Sequence, residues 1–246
     1  IVAIELVSIP SYILAGYRYG DSRSAEASLK YVLYGAVSSG VMIYGFSLLY
    51  GMSGATSIPG MAAHFAAGGF PQELFLLAVT LVLAGLGYKI SMVPFHFWAP
   101  DVYEGSPTPI TAFFSVAPKA AGFAALYRMM DVFAAPAVFA GIDARFLFSL
   151  ASALTMTFGN LGALHQTNLK RLLAYSSIAQ AGYILMGFAA GTFAAYQAVL
   201  FYLVVYLFMN LGAFLVVDAA GRALGGEDTT HIRGLGKTSP ALALAL

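Results

Sequence analysis

The stretch GYKISMVPFHFWAPDVYEGSPTP, residues 87–109, decides the fold. It follows the almost wholly apolar run LFLLAVTLVLAG, residues 74–85, and it places Lys89 only five residues before Pro94. Three more prolines follow within the stretch, and proline removes a backbone hydrogen-bond donor and breaks a helix. The sequence therefore combines a charge in an apolar helix with a sharp interruption of the same helix.

The composition outside this stretch indicates a membrane protein. Of the 246 residues, 60% are hydrophobic and only 9% are charged, whereas a soluble globular domain carries about 25% charged residues. The apolar residues form blocks of roughly 20, the length that a helix needs to cross a bilayer core of about 30 Å. Because the blocks are continuous rather than alternating, they exclude a transmembrane barrel. We predict an all-α polytopic membrane protein.

Several other classes of function are excluded or disfavoured by the composition. The net charge of +1 gives no electrostatic case for binding nucleic acid. The chain has no cysteine, which excludes disulfides and cysteine-held iron–sulfur clusters. The four histidines are far apart and show no metal-ligand spacing: His64, His96, His165 and His231. We therefore expect no cofactor and no metal in this chain.

Eight apolar segments are predicted, at about 1–19, 25–50, 73–98, 108–130, 145–165, 171–190, 194–218 and a stub from about 240. Polar or turn-forming stretches separate them, among them SGATSIPG, PDVYEG and DVFAAP. Since no soluble domain fits between the segments, residues 1–246 are interpreted as a single membrane domain. IVAIELVSIP and PALALAL at the two ends already look like parts of membrane helices, so we expect an internal fragment of a longer chain.

The distribution of lysine and arginine predicts the orientation of the chain in the membrane. Seven of these residues lie in or near the loops after segments 1, 5 and 7, and only two lie near loops on the opposite side. Because cytoplasmic loops carry the excess of positive charge, the first side is expected to face the cytoplasm. By parity the loop after segment 3, with Asp101 and Glu104, faces the same side.

Four ionisable residues lie inside apolar segments or close to their ends: Glu5, Lys30, Lys89 and Lys119. Such a residue costs about 2.5–3.5 kcal/mol at the bilayer centre on insertion scales. Lys30 is near the start of its segment, and an alternative interpretation is that its side chain extends to the membrane interface. An alternative interpretation of Glu5 is that it is a structural partner of a lysine. Lys89 and Lys119 are placed about mid-helix without an acidic residue three or four positions away, so they must face the protein interior or a water-filled cavity.

A glutamate and several lysines inside a membrane domain are the side chains that a proton relay requires. Burial disfavours a lysine ammonium and a nearby carboxylate favours it, so moving the carboxylate loads or unloads a proton. We predict that Glu5, Lys89 and Lys119 form such a relay, with Lys30 as a further member, while Pro94 and Pro118 expose backbone carbonyls at membrane depth. Other polar residues within the segments are interpreted mainly as interhelical hydrogen-bonding groups, among them Ser39, Ser177, Gln180 and Asn210.

His96 is a further candidate because it lies beside the predicted break, where a histidine can donate, accept or titrate. The alternative is an interfacial histidine next to the aromatic residues Phe97 and Trp98. Both interpretations stay open at this point.

The segment GLGYKISMVPFHFWAPDVYEGSPTPITAFFSVAPKAAGFAAL, residues 85–126, closely resembles the subunit N (subunit 2) family of antiporter-like membrane subunits in respiratory complex I, the NADH:quinone oxidoreductase. Three shorter stretches look similar to the same family: ELVSIPSYILAGY (5–17), SAEASLKYVLYG (24–35) and NLKRLLAYSSIAQAGYILMGF (168–188). The resemblance covers essentially the whole chain, and the PFHFWAPDVYEGSPTP block is its most specific part.

The resemblance implies an antiporter-like helix bundle with inverted repeats, each containing a discontinuous helix. The chain would run from the fifth helix of that bundle to the start of the twelfth, and segment 3 would be the first discontinuous helix. The family's ionisable residues fall on Glu5 in the fifth helix, Lys30 in the sixth, Lys89 in the broken seventh and Lys119 in the eighth.

The resemblance also implies a function: a proton-translocating subunit in a bacterial inner (plasma) membrane, crossing it several times beside other complex I membrane subunits. The chain would act as an enzyme only as part of that translocase, because NADH, FMN, iron–sulfur clusters and quinone are expected on other subunits. Two alternatives stay open. One is a subunit of a multi-subunit cation/proton antiporter, and the other is a structural scaffold whose buried charges carry no protons.

Overall fold

The computed structural model describes residues 2–133 and 144–245, and its regular elements within these ranges are helices. They are α1 (Val2–Ala15), α2 (Ser22–Ser53), α3 (Ile58–Ala67), α4 (Gln72–Ile90), α5 (Trp98–Gly105), α6 (Thr108–Phe133), α7 (Ala144–Leu164), α8 (Leu169–Ala190), α9 (Phe193–Leu224), α10 (Leu235–Thr238) and α11 (Pro240–Ala245). Every predicted apolar segment contains a helix, and the all-α prediction is confirmed.

Six of the described helices are long and apolar enough to cross a membrane: α2, α4, α6, α7, α8 and α9. The apolar helix α1 has 14 described residues. Large apolar side chains such as Phe201 and Phe208 on α9 point outward and are exposed. A lipid environment accounts for them, since a water-soluble protein rarely exposes so much apolar surface.

The helix ends follow the polar turn signals in the sequence. Asp21 and Asn168 begin α2 and α8, and each side chain accepts a hydrogen bond from a backbone N–H in the first turn. Gly191 and Gly225 end α8 and α9 with φ values of 60° and 78°, a conformation that glycine adopts without steric cost. The boundaries are therefore set by local chemistry rather than by hydropathy alone.

Two stretches that were expected to be loops are helical. Residues 58–67, predicted as part of a connection, form α3, which starts at the Ser57 cap and buries Met61 and Phe65. Residues 98–105, which include the expected PDVYEG loop, form α5. Pro100 is tolerated there because it lies in the first turn, where a backbone N–H has no partner within the helix. The DVFAAP connection extends beyond Phe133 and falls partly outside the described residues.

The predicted discontinuous helix is confirmed as α4, an irregular stretch over residues 91–97, and α5. Ser91 adopts a left-handed conformation with a φ of 59°, and Pro94 follows within the break. Because of this early ending, Lys89 is not mid-helix as predicted but lies one residue before the last residue of α4. The lysine therefore sits directly at the interruption.

Close helix packing brings α4 against α6 near this interruption. Gly122 on α6 faces the end of α4, and a Cβ atom there would lie 2.7 Å from Ile90 Cγ2 and 3.3 Å from Lys89 Cβ. A glycine is required at this position because the two helices approach too closely for a side chain. The backbone of α6 thus forms part of the surroundings of Lys89.

The connections after predicted segments 3, 5 and 7 meet at one end of the bundle, as parity predicts. Lys170, at the start of α8, forms a 2.9 Å ion pair with Glu227, which follows α9. The other carboxylate oxygen of Glu227 accepts a 2.9 Å hydrogen bond from Thr108, at the start of α6. The cytoplasmic assignment of this end stays a prediction, whereas the shared location of these connections is a feature of the structure.

Candidate functional site

Glu5 and Lys89 meet in the interior, where α1, α2 and α4 pack together. The Lys89 Nζ lies 3.5 Å from Glu5 Oε1 and donates a 2.5 Å hydrogen bond to Ser8 Oγ. Ser39 on α2 donates a 2.7 Å hydrogen bond to the same Glu5 oxygen, and its own Oγ lies 3.5 Å from Lys89 Nζ. Three helices therefore hold one carboxylate and one ammonium in a common hydrogen-bonded group.

Helix geometry supports this charge arrangement. Lys89 lies in the last turn of α4. A helix C-terminus carries partial negative charge, which favours the ammonium found at this end. Ser8 donates its hydroxyl proton to Ile4 O at 2.9 Å, which leaves its oxygen free to accept from Lys89. The break after Lys89 is thus part of the site and not only a feature of the fold.

Lys119 lies in the interior of α6, as predicted, and faces α8. Its Nζ donates hydrogen bonds to the Ser177 carbonyl oxygen at 3.0 Å and to Ser177 Oγ at 2.7 Å. The ring of Tyr103 on α5 lies 5.9 Å from the same ammonium. Among the described residues no carboxylate forms an ion pair with Lys119, so its electrostatic surroundings differ from those of Lys89.

A cavity of about 330 Å³ extends from Lys89 toward the segment of α6 that carries Lys119. Its lining includes Ser8 and Lys89 on one side and Pro118 and Gly122 on the other. A water molecule occupies about 30 Å³ in the liquid, so the cavity has room for several. Polar groups of Lys89 and Ser8 provide hydrogen-bonding partners for water at one end of a largely apolar space.

Lys30 belongs to a different group of charges. This group lies at the end of the bundle where the connections after predicted segments 3, 5 and 7 meet. Its Nζ lies 2.7 Å from Glu26 and 2.6 Å from Asp101 on α5. Arg171 on α8 contacts the other oxygen of Asp101 at 2.5 Å and Glu104 at 3.0 Å. We call Lys30, Glu26, Asp101, Glu104 and Arg171 the ionic cluster.

The ionic cluster holds Asp101 in its charged form. Burial by itself raises the pKa of Asp101, but hydrogen bonds from Lys30 and Arg171 outweigh burial and hold that pKa below its ordinary value. Asp101 therefore links α2 and α8 to the short helix α5 by charge-assisted contacts. The structure places Lys30 in this cluster and away from Glu5, and its role in the relay stays a prediction.

His96 is buried in the break, and its ring packs against Phe97 at 4.4 Å and Phe158 at 6.3 Å between ring centres. Within residues 2–133 and 144–245, no hydrogen bond or ion pair joins His96 to a member of the predicted relay. Its part in proton transfer stays a prediction. The same described residues contain no group of three or more histidine or acidic side chains placed to hold a metal ion.

Several polar partners of the lysines were not singled out from the sequence. Ser8 lies three residues after Glu5 and therefore on the same face of α1, a spacing that gave a usable signal. Ser39 and Ser177 were interpreted as ordinary interhelical hydrogen-bonding groups, yet they contact Glu5 and Lys119 directly. Tyr103 gave no signal, because its position beside Ser177 depends on how α5 packs against α8.

Comparisons with known proteins place these features in a family context. The family described as NADH:quinone oxidoreductase/Mrp antiporter, TM, matches residues 1–246. Subunit N of the NADH-quinone oxidoreductase of Chlorobium chlorochromatii is 52% identical over 251 aligned residues, which cover 100% of this chain and 49% of the relative. The chain thus spans about half the length of the curated relatives it matches.

Solved structures of respiratory complexes contain chains with the same fold. In respiratory complex I from Thermus thermophilus, one chain matches with a TM-score of 0.78 and 39% identity, covering 99% of this chain and 51% of that one. In an archaeal respiratory membrane complex, the membrane-bound sulfane sulfur reductase, one chain matches with a TM-score of 0.89 and 31% identity, covering 100% of this chain and 49% of that one.

Proposed function

Because the chain belongs to the NADH:quinone oxidoreductase/Mrp antiporter transmembrane family, we propose that it translocates protons as part of a membrane subunit of a proton-pumping NADH:quinone oxidoreductase. The resemblance to subunit N that residues 85–126 indicate is confirmed by a relative that matches the whole chain. The proposal places the chain in a bacterial inner membrane, beside other membrane subunits of the same complex. NADH, FMN, iron–sulfur clusters and quinone would be held by other subunits.

The observation that carries the proposal is the Glu5–Lys89 pair at the interruption between α4 and α5. Burying a charge pair inside a membrane protein costs free energy, and intramembrane ionisable residues commonly mark ion pathways. Polar groups at a broken helix are tolerated where they line a cavity, and Lys89 lines one whose opposite wall includes Pro118, the residue before Lys119. Charge, break and cavity therefore coincide at one place.

The geometry supports a simple sequence of events. While Glu5 stays within 3.5 Å of Lys89, the carboxylate stabilises the ammonium. If α1 and α4 separate, this stabilisation weakens, and one proton passes from Lys89 through cavity water to the neutral amine of Lys119. Lys89 ends as a neutral amine and Lys119 as an ammonium, so a single positive charge moves laterally. Return of Glu5 then favours reloading of Lys89.

The short helix α5 offers a route by which changes elsewhere in the complex reach this pair. Trp98 at the start of α5 donates a 3.0 Å hydrogen bond to the carbonyl oxygen of Tyr88, the residue before Lys89. Asp101, one turn further along α5, joins the ionic cluster. A shift of the ionic cluster would therefore be transmitted through α5 to the end of α4.

The test is substitution of the two buried lysines in the full complex, reconstituted in sealed vesicles. We expect Lys89→Ala and Lys119→Ala to lower proton pumping to roughly a tenth or less, because proton transfer by a positioned group is typically worth 10²–10⁴-fold. Lys237→Ala, at an exposed lysine, is the matched control and should pump normally. Unchanged pumping and NADH oxidation in both buried-lysine variants would refute the relay.

A cation/proton antiporter subunit is the alternative that the family description itself names. Vesicles containing the full-length subunit with its membrane partners, but no quinone-linked component, distinguish the two. Sodium-driven proton exchange in those vesicles would favour the antiporter. A purely structural scaffold predicts instead that the lysine substitutions reduce assembly on native gels while the assembled complex pumps normally.

A further inference from the structure

Lys170, the second residue of α8, is a buried lysine that the proposed relay does not use. Only 1% of it is exposed. Its Nζ donates a 2.9 Å hydrogen bond to the carbonyl oxygen of Ser106, the residue that follows α5. The same Nζ forms the 2.9 Å ion pair with Glu227. One ammonium therefore joins the end of α5 to the connection that follows α9.

Glu227 is fixed by its backbone as well as by its side chain. The Leu169 N–H donates a 2.9 Å hydrogen bond to the Glu227 carbonyl oxygen, and the Thr229 N–H donates a 2.7 Å hydrogen bond to the Thr167 carbonyl oxygen. At the start of α6, the Thr108 hydroxyl donates to the Glu227 carboxylate. The connection after α9 therefore lies against the starts of α8 and α6 and presents its carboxylate to the buried ammonium.

The short helix α5 is held at both of its ends. At its start, Trp98 donates a 3.0 Å hydrogen bond to the carbonyl oxygen of Tyr88, in the last turn of α4. Its last residue, Gly105, packs so closely on α2 that a Cβ atom there would lie 2.5 Å from the Arg23 carbonyl oxygen. A helix of eight residues spans roughly 12 Å. A displacement of Lys170 is therefore passed along α5 to the end of α4.

Stability alone does not account for a buried ion pair at this place. The cost of removing two charges from water often exceeds their attraction, and apolar residues of similar volume stabilise many proteins at least as well. The pair of Arg222 and Asp218 on α9 provides a contrast, because it is more exposed and joins two turns of a single helix at 2.7 Å. The contacts of Lys170 instead join α8, the end of α5 and the connection after α9.

We propose that Lys170 is a positioning residue for the Glu5–Lys89 pair, acting through α5. This inference rests on the proposed function. Glu227 holds the Lys170 ammonium against the Ser106 carbonyl oxygen, which fixes α5 and keeps the end of α4 in place beside α1. When the connection after α9 moves, Glu227 is withdrawn, Lys170 releases Ser106, and α5 shifts. The connection after α9 is thus a second input to the relay, in addition to the ionic cluster.

The experiment uses the full complex in sealed vesicles and measures protons pumped per NADH oxidised, with native gels to report assembly. We expect Lys170→Met to lower this ratio roughly tenfold, because misplacing reacting groups by about 1 Å can cost 10²-fold. Lys170→Arg keeps a positive charge and N–H donors for both partners, so it should retain most of the ratio. A loss as large in Lys170→Arg as in Lys170→Met would contradict the proposed contacts.

The double variant Lys170→Met/Glu227→Gln separates positioning from stability, because it leaves neither charge buried without its partner. We expect it to assemble at least as well as Lys170→Met and to keep the same low ratio, since Ser106 still lacks its donor. Recovery of the ratio in the double variant would mean that the ion pair is only structural, which overturns the inference. Failure of both variants to assemble would overturn it in the same way.

The matched controls are Arg222→Met and Asp218→Asn, which remove the exposed ion pair near the end of α9. Both should pump normally, and a loss in Arg222→Met equal to that in Lys170→Met would refute a specific role for Lys170. A normal ratio in Lys170→Met, together with a loss in Lys89→Ala, would refute this inference while leaving the proposed function intact. Normal pumping in Lys89→Ala and Lys119→Ala would instead remove the proposed function, and the inference with it.

Discussion

Lys89 and Ser8 form a 2.5 Å hydrogen bond between the last turn of α4 and the first half of α1. The bond fixes the ammonium beside Glu5, because Ser8 lies on the same face of α1 as the carboxylate. A hydrogen bond to a charged group is worth about 1.5–3 kcal/mol. The position of the lysine is therefore set by a neutral partner as well as by the opposite charge.

Removing that neutral partner tests its contribution. We expect Ser8→Ala to lower proton pumping several-fold, because Lys89 then has more freedom and spends less time beside Glu5. Ser8→Thr keeps the hydroxyl and should pump nearly normally. Ser11→Ala is the control, since the Ser11 hydroxyl bonds to Val7 O rather than to the lysine. Equal effects of Ser8→Ala and Ser11→Ala on pumping in sealed vesicles would argue against a specific role for Ser8.

Neutralising Glu5 without changing its size tests the charge pair. In Glu5→Gln the side-chain oxygen can still accept the hydrogen bond that Ser39 donates at 2.7 Å, while the stabilisation of the Lys89 ammonium by a negative charge is lost. We expect pumping to fall about tenfold, with the assembled complex still present on native gels. Glu5→Asp keeps the charge on a shorter side chain, and its pumping rate should lie between those of the parent and of Glu5→Gln. Full pumping in Glu5→Gln would show that the carboxylate does not control Lys89.

The contact between α4 and α6 at Gly122 predicts a steric effect. A methyl group there would approach Ile90 Cγ2 to 2.7 Å, so Gly122→Ala should force the helices apart and destabilise the protein by about 1–3 kcal/mol. Gly40→Ala is the matched control, because a methyl group at Gly40 meets nothing within 4 Å and alanine favours a helix. The midpoint of thermal unfolding in detergent should fall for Gly122→Ala only. A lower midpoint for both, or for neither, would contradict the packing described.

The ionic cluster predicts a dependence of stability on pH. Because the pKa of Asp101 is below its ordinary value in the folded protein, its contacts contribute fully above the ordinary carboxyl pKa, near 3.9. The contribution disappears as the pH falls through the lower, folded value. Asp101→Asn should therefore lower the unfolding midpoint at neutral pH and lose less stability than the parent when the pH is lowered to 3. Parallel pH curves for the two proteins would exclude Asp101 as the titrating group.

Much of this arrangement is local and could be predicted from sequence. The lengths of the apolar segments predict where the helices lie, and the closely spaced prolines after Lys89 predict the interruption. Lys119 in an apolar stretch predicts an interior charge. Helix α5 was mistaken for a loop because its polar and proline-rich composition is typical of turns, whereas its packing against α2 and α8 favours a helical turn.

The pairings could not be predicted, because they join residues that are far apart in the chain. Lys30 and Asp101 are separated by 71 positions, and Lys119 and Ser177 by 58. Serines are common in membrane helices as hydrogen-bonding groups, so nothing local distinguishes Ser177 from Ser176. Only the approach of α6 to α8 selects one of the two.

The most direct test of the central claim is a high-resolution structure of the full complex that shows ordered water. The account predicts a hydrogen-bonded series of water molecules in the cavity of about 330 Å³, running from Lys89 Nζ toward Lys119 Nζ. A cavity that is dry, or filled by a lipid chain, would contradict proton transfer between these two lysines.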